Sequence, residues 1–303
     1  MGVEILTEAP SMGPLLARAA LTARGRHGDV VPDRTLRLTD VRIDRERLAA
    51  YQRLTGYAVE DTVPQTYPWV LAFPVQTALM VRGDFPLPLP GMVHMENTIT
   101  THRPVVAAEP LTLDVTAGAI RPHRKGRTLD VRIEARVGED VAWECDSVYL
   151  SRGHGSPDAP RAARPPELPG GPAVARWRLP EDLGREYAGV SGDVNPIHLH
   201  PLTARAMGIR RHIAHGMWTS ARTLSALGRD SLGPSRSRVW FTAPVFLPGS
   251  VELVRERHDE GVVAGLRSAR DPETVHLVLT LDGHGASDRS AGEASPSWAG
   301  GET

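Results

Sequence analysis

An apolar helix followed by long alternating strands occurs twice in this chain, and few folds accommodate that pattern. The first helix is the run Tyr67 to Val81, YPWVLAFPVQTALMV. It is too short to span a bilayer, so it reads as a buried helix, bent or started at Pro74. The second covers about 216–227 and is ended by Gly228. Strand-like runs follow each helix. After the first come Val93 to Val106, Leu111 to Ile120, and a pair around a turn at Gly138-Glu139. After the second come runs near 236–246, 250–258, 261–269 and 274–282. Leu129, Val131, Ile133, Ala135 and Val137 alternate with Asp130, Arg132, Glu134 and Arg136, the signature of a half-buried antiparallel strand.

The repeat has a measurable offset. Tyr51, Thr55 and Gly56 precede Tyr187, Ser191 and Gly192 by 136 positions, Arg103-Pro104-Val105 precede Ala243-Pro244-Val245 by 140, and Ala72 precedes Ala214 by 142. A sheet wrapped around one helix leaves an apolar face and open edges, which a second copy covers. The 303 residues suffice for two such units. The expected layout is an N-terminal arm at 1–35, a first half at 36–151, a Pro/Gly/Ala-rich linker at 152–175, a second half at 176–283 and a flexible Gly/Ser/Ala-rich tail at 284–303. The arm is read as poorly ordered, with packing on the body as the alternative.

Polar chemistry concentrates at 187–217, YAGVSGDVNPIHLHPLTARAMGIRRHIAHGM. Asp193 and His198 flank the turn dipeptide Asn195-Pro196, and Pro196 suits the first position of a helical turn. The two side chains can therefore converge on one small molecule. His215-Gly216 opens the second apolar helix, where backbone N–H groups have no partner and the dipole is positive. A glycine there lets a carbonyl approach closely.

The string Y-x-x-x-S-G-D-x-N-P-I-H, followed by A-x-x-x-G and I-A-H-G-M, resembles the signature of MaoC-like R-specific enoyl-thioester hydratases and 3-hydroxyacyl dehydratases. It covers the second half; the first resembles the family only as a degenerate copy. The resemblance implies an α+β double hot dog, two antiparallel sheets each wrapped around an apolar central helix. It implies hydration of trans-2-enoyl thioesters to (R)-3-hydroxyacyl thioesters, or the reverse. On this reading Asp193 and His198 hold the attacking water and the Gly216 N–H meets the thioester oxygen, with Tyr187, Ser191, Asn195 and His215 in support.

Each residue also has a plainer role. Asp193 caps the turn, His198 satisfies a backbone carbonyl, Gly216 gives clearance, and His215 is a packed, hydrogen-bonded histidine. His198, His200, His212 and His215 lack a settled zinc spacing, and GVSGD around Ser191 misses the nucleophile-elbow pattern. No metal or cofactor is expected. A hot-dog thioesterase and a non-catalytic acyl-binding subunit are the rival functions. Counting back from the site lands on Tyr57 and Thr62, and from Gly216 on Pro74, so the first half is expected to lack dyad and donor and to widen an acyl tunnel.

Expected partners are an acyl thioester on coenzyme A or acyl carrier protein and, as an option, a second copy in a homodimer. The basic turn Arg121 to Arg127 is a solvated hairpin tip or a phosphate contact. A net charge of −1 calls for neither nucleic acid nor an anionic membrane, and the lone Cys145 with no leader-like segment fits the cytoplasm.

Overall fold

A computed structural model describes residues 2–23, 25–26, 28–259 and 261–283. The tail expected at 284–303 lies outside them. The elements are β1 (Gly2–Leu6), α1 (Met12–Leu21), β2 (Arg34–Val41), α2 (Arg45–Thr55), α3 (Tyr67–Met80), β3 (Val93–Thr101), β4 (Leu111–His123), β5 (Gly126–Val137) and β6 (Asp140–Arg152). The second half holds β7 (Ala175–Leu179), α4 (Leu183–Ser191), α5 (Pro196–Leu199), α6 (Pro201–Ala206), α7 (Gly216–Leu227), β8 (Ser235–Phe241), β9 (Gly249–His258), β10 (Gly261–Ser268) and β11 (Val275–Gly283).

The fold is mixed α+β with one large sheet. All eleven strands join in the order β1-β2-β4-β5-β6-β3-β8-β11-β10-β9-β7. From β2 to β7 this order is a palindrome: each half arranges its strands alike, and the halves meet where β3 pairs antiparallel with β8, from Glu96↔Trp240 to Thr101↔Ser235. An Arg238–Glu96 ion pair of 2.5 Å crosses that seam. Where two sheets were expected, backbone pairing at the seam makes one, because it satisfies two edges at once.

α3 is mostly apolar and largely buried, with Gln76 and Thr77 as its buried polar residues. It packs on β2, β4 and β5, and α7 on β10 and β11. Pro74 lies inside α3 and does not start it. The alternating run of β5 buries Leu129, Val131, Ile133 and Ala135 completely. The N-terminal segment packs on the body: β1 pairs parallel with β2, and α1 meets α3. Among the described residues no helix is long and apolar enough to cross a membrane.

α2 of the first half packs against α4 and α7 of the second. Arg47 Nε donates to Val190 O at 2.7 Å, Ser225 Oγ to Thr55 O at 2.8 Å and Trp218 Nε1 to Leu54 O at 3.2 Å. Tyr51 and Tyr187, equivalent by the repeat, meet with ring centres 6.0 Å apart.

Candidate active site

α4 stops at Gly192, whose φ of 78° is left-handed and suits a residue without a side chain. Three short-range bonds then set the turn. Ser191 Oγ accepts from the Asp193 N–H at 3.1 Å, Asp193 Oδ1 from the Asn195 N–H at 3.2 Å, and Asn195 Oδ1 from the Ile197 N–H at 3.3 Å. The last caps α5, which opens with Pro196. Gly184 on α4 backs this turn closely: a Cβ there would sit 1.9 Å from His198 O.

The buried His198 bonds through Nδ1 to Ile213 O at 2.8 Å. A carbonyl only accepts, so Nδ1 carries the proton and Nε2 of the neutral ring holds a lone pair. His215 bonds through Nε2 to Asp193 O at 2.9 Å, which assigns it the opposite tautomer. Its ring stacks on His198 at 3.7 Å between centres and packs against Tyr187 at 4.9 Å. The structure thus brings Asp193, His198 and His215 together, with Tyr187, Ser191 and Asn195 around them.

Burial dominates the electrostatics. It pushes Asp193 above the usual carboxylate range, against the pull of His198 and the Asn195 N–H. Burial pushes His198 below the usual imidazole range, against the pull of Asp193. His215 is driven well below that range by burial and by the neighbouring His198. An acid and a base with converging affinities, one in each protonation state, can exchange a proton with a bound water.

The side-chain donor atoms of Asp193, His198 and His215 lie within 4.8 Å of one another, a spacing that could hold a metal ion. Stacked rings, however, point their in-plane lone pairs along near-parallel planes and not at one point, and each ring has one nitrogen on a carbonyl. The other two histidines of the sequence cluster are elsewhere engaged: His200 Nδ1 caps α6, and His212 Nε2 bonds to Glu181 O.

Gly216 is the first residue of α7, and its N-cap His215 makes no side-chain capping bond. As a first-turn N–H, that of Gly216 has no partner within the helix and sits at its positive end. A Cβ at Gly216 would lie 3.1 Å from Phe241 Cε1, so this position also needs the clearance.

The first half's counterparts differ from those the constant offsets predict. The C-cap glycines Gly56 and Gly192 are both left-handed, which keeps Tyr57 opposite Asp193. But Val63 N bonds to Val105 O as Ala214 N bonds to Val245 O, and the isolated bridge Thr62↔Val106 matches Ile213↔Phe246. Thr62 is thus the counterpart of Ile213, not of His198. The first half lacks the α5–α6 insertion altogether, so His198 has no counterpart. By the same register Gly216 corresponds to Gln65, which keeps its N–H, and not to Pro74.

Some residues near the site carry no signal in a linear reading. Phe241 at the end of β8, His94 on β3 and Tyr149 on β6 come from three strands, and their rings pack together: His94 lies 4.6 Å from Tyr149 and 5.1 Å from Phe241 between centres. The charge of Asp193 is felt at the Tyr149 hydroxyl.

Comparison with known proteins yields consistent relatives. The family model described as MaoC like domain matches residues 163–274. The 3-hydroxyacyl-thioester dehydratase X of Mycobacterium tuberculosis is 35% identical over 259 residues, covering 84% of this chain and 91% of that protein. The crystal structure of HtdX from Mycobacterium tuberculosis superposes with a TM-score of 0.73 at 34% identity, over 82% of this chain and all of that one. A MaoC-like dehydratase from Phytophthora capsici shares the fold, with a TM-score of 0.70 at 17% identity over 86% of this chain and 99% of that one.

Proposed function

Because this chain belongs to the MaoC-like dehydratase family, we propose that it is a hydro-lyase interconverting trans-2-enoyl and (R)-3-hydroxyacyl thioesters, with Asp193, His198 and Gly216 as its working groups. The observation that carries this reading is the bond between His198 Nδ1 and Ile213 O, which assigns the proton to Nδ1. Held there by Ile213 O, it leaves Nε2 as a base beside the Asp193 carboxyl.

In hydration, a water held by Asp193 and His198 loses a proton to the dyad as its oxygen bonds to C3. The electron pair of the double bond shifts toward C2 and the thioester oxygen. The Gly216 N–H stabilises that oxygen, and the dyad returns one proton to C2. Dehydration runs the same steps backward. His215, neutral and bonded to Asp193 O, holds the loop that carries the carboxylate.

On the same reading the fold is a double hot dog, β2-β4-β5-β6-β3 around α3 and β8-β11-β10-β9-β7 around α7, and the linker joins the halves. The first half, 36–151, houses the acyl chain, and the second, 176–283, the chemistry. The carrier is coenzyme A or acyl carrier protein. A reducing compartment suits the single, buried Cys145.

The test is loss of conjugated-thioester absorbance on adding purified protein to enoyl thioesters of graded length, with thiol release followed in parallel. Hydration without thiol release is the expected result. Thiol release alone would mean a thioesterase, and neither signal would mean a subunit that only binds acyl groups.

A further inference from the structure

The inner face of the sheet changes character at the seam. On β5 and β11 it is lined by Leu129, Val131, Ile133 and by Leu277, Leu279, Leu281, all almost fully buried. On β6 and β3 the equivalent inward positions hold Cys145, Ser147, Tyr149, His94 and Asn97, and α3 faces them with Gln76. Gln76 is 2% exposed and Asn97 1%. A plain hydrocarbon tail would gain nothing from these groups, and burying them costs free energy unless they find partners.

Part of this row is satisfied. Gln76 Nε2 donates to Tyr149 Oη at 2.8 Å, and Asn97 Nδ2 to Ser147 Oγ at 2.8 Å and Cys145 Sγ at 3.0 Å. The other ends are not: Gln76 Oε1, Asn97 Oδ1 and His94 Nε2 are buried and find no hydrogen-bond partner among the described residues. The nearby Gln65 shows the contrast. Its Nε2 donates to Ser231 O at 3.0 Å and its Oε1 accepts from Ser237 Oγ at 2.6 Å, so both ends are engaged inside the protein. Gln65 is held at both ends, whereas Gln76, Asn97 and His94 each keep one end unpaired among the described residues.

Position says which part of a substrate that is. Phe241 lies against Gly216 on one side and against the His94 ring on the other, so the row begins two side-chain contacts from the proposed thioester site. The carrier arm must run out to solvent, which leaves the deeply buried end to the acyl chain. Both open amide atoms are acceptors, so the matching group is a donor. None of the row's own members is a carboxylate, and burial pushes His94 down to about 3, so the row itself carries no charge. The stack of His94 between Tyr149 and the Trp69 ring, 4.6 and 6.0 Å away between centres, keeps its ring fixed.

We infer that the acyl chain this protein takes carries a hydroxyl group, bound by Gln76, Asn97 and His94 in the first half. The inference rests on the hydratase reading and narrows its substrate class to oxygenated acyl thioesters.

The test compares pairs of enoyl thioesters of equal length on one carrier, with and without a hydroxyl. The hydroxyl is moved one carbon at a time, starting at the second carbon beyond the double bond, where it leaves the electronics of the enoyl group alone. At one or two neighbouring positions the hydroxylated member is expected to have a kcat/KM higher by about tenfold to a hundredfold. In a purely apolar tunnel the sign reverses, since the hydroxyl would be buried unpaired. His94→Phe keeps a stacking ring and Gln76→Met keeps the length, and each is expected to move the ratio toward one, with folding checked by circular dichroism. Equal or lower kcat/KM for every hydroxylated substrate with the unaltered protein overturns the inference while leaving the hydratase reading intact. So does a preference that persists undiminished in folded variants. Turnover of neither member overturns the hydratase reading itself, and the inference with it.

Discussion

Asp193→Asn keeps an acceptor for the Asn195 N–H but cannot take a proton, so it separates the turn-holding role of Asp193 from its chemistry. A loss of roughly 10²- to 10⁴-fold in kcat is expected, the usual contribution of a general acid or base. His198→Ala should cost a similar amount and the double variant little more, because the two act as a unit. Single-turnover absorbance assays read all three, and a folded Asp193→Asn protein with undiminished turnover would remove the dyad from the mechanism. The acid side of the pH profile follows from the same pair. The base form needs Asp193 ionised and His198 neutral; Asp193 is raised and His198 lowered, so kcat/KM should fall as pH drops through the interval between ordinary carboxylate and ordinary imidazole values. At Gly216, Ala and Pro both crowd Phe241, but only Pro removes the N–H. Pro is tolerated at the first position of a helix, and loss of an oxyanion donor costs about 10²- to 10³-fold. The folded Pro variant is therefore expected to fall well below the Ala variant in kcat, and equal rates would reduce Gly216 to a clearance residue.

At the scale of elements, α4 and α5 are held at a spacing that only a glycine permits. Gly184→Ala would place a methyl 1.9 Å from a backbone oxygen, which cannot yield as a flexible side chain does, so α5 must move and carry His198 with it. Both a lower Tm and a lower kcat are expected, and a variant that loses neither would show that α5 has room to shift. Asn195→Ala removes the cap of α5, worth about 0.5–2 kcal/mol, and its effect on kcat should exceed its effect on Tm because Asp193 sits on the same turn. The elements themselves were largely legible. The alternation of β5, the apolar run of α3 and the stop of α7 at Gly228 stand where pattern puts them, since burial on one face writes itself into residue order. Of the two readings of Pro74, a helix start is excluded, since the proline lies inside α3. The N-terminal segment packs where a poorly ordered arm was the first reading, because the short β1 is held by partners distant in sequence, β2 and the Glu4–Arg82 ion pair.

For the molecule as a whole, buried histidines set the response to acid. His94, His198, His215 and His276 all have folded-state affinities below the unfolded value of 6.5, His94 down to about 3. The unfolded chain therefore binds more protons below pH 6.5, and stability must decline as pH falls from there, continuing toward pH 3 for His94. Asp193 and Asp146, raised by burial, work in the opposite sense through the carboxylate range, while Glu109, lowered by its bond to Arg103, adds to the decline. Thermal melts at stepped pH should show Tm falling from about pH 6.5 downward, and His94→Phe should flatten the slope. A Tm that holds steady from pH 6.5 to 4 would contradict the burial of these rings.

Residue order by itself determined the kind of elements in each half and set Asp193 and His198 on one turn, because these depend on periodicity and on near neighbours; that His215 comes to the same place was decided by the tertiary structure. Residue order did not determine that the strands form a single sheet through β3 and β8, since pairing partners are chosen among distant edges. Nor did it reveal that His198 sits on an insertion without a counterpart, which only the matched bonds Val63–Val105 and Ala214–Val245 expose. The row of Gln76, His94 and Asn97 was likewise invisible, because a polar residue in an apolar strand has meaning only once the other strand and the helix that face it are in place.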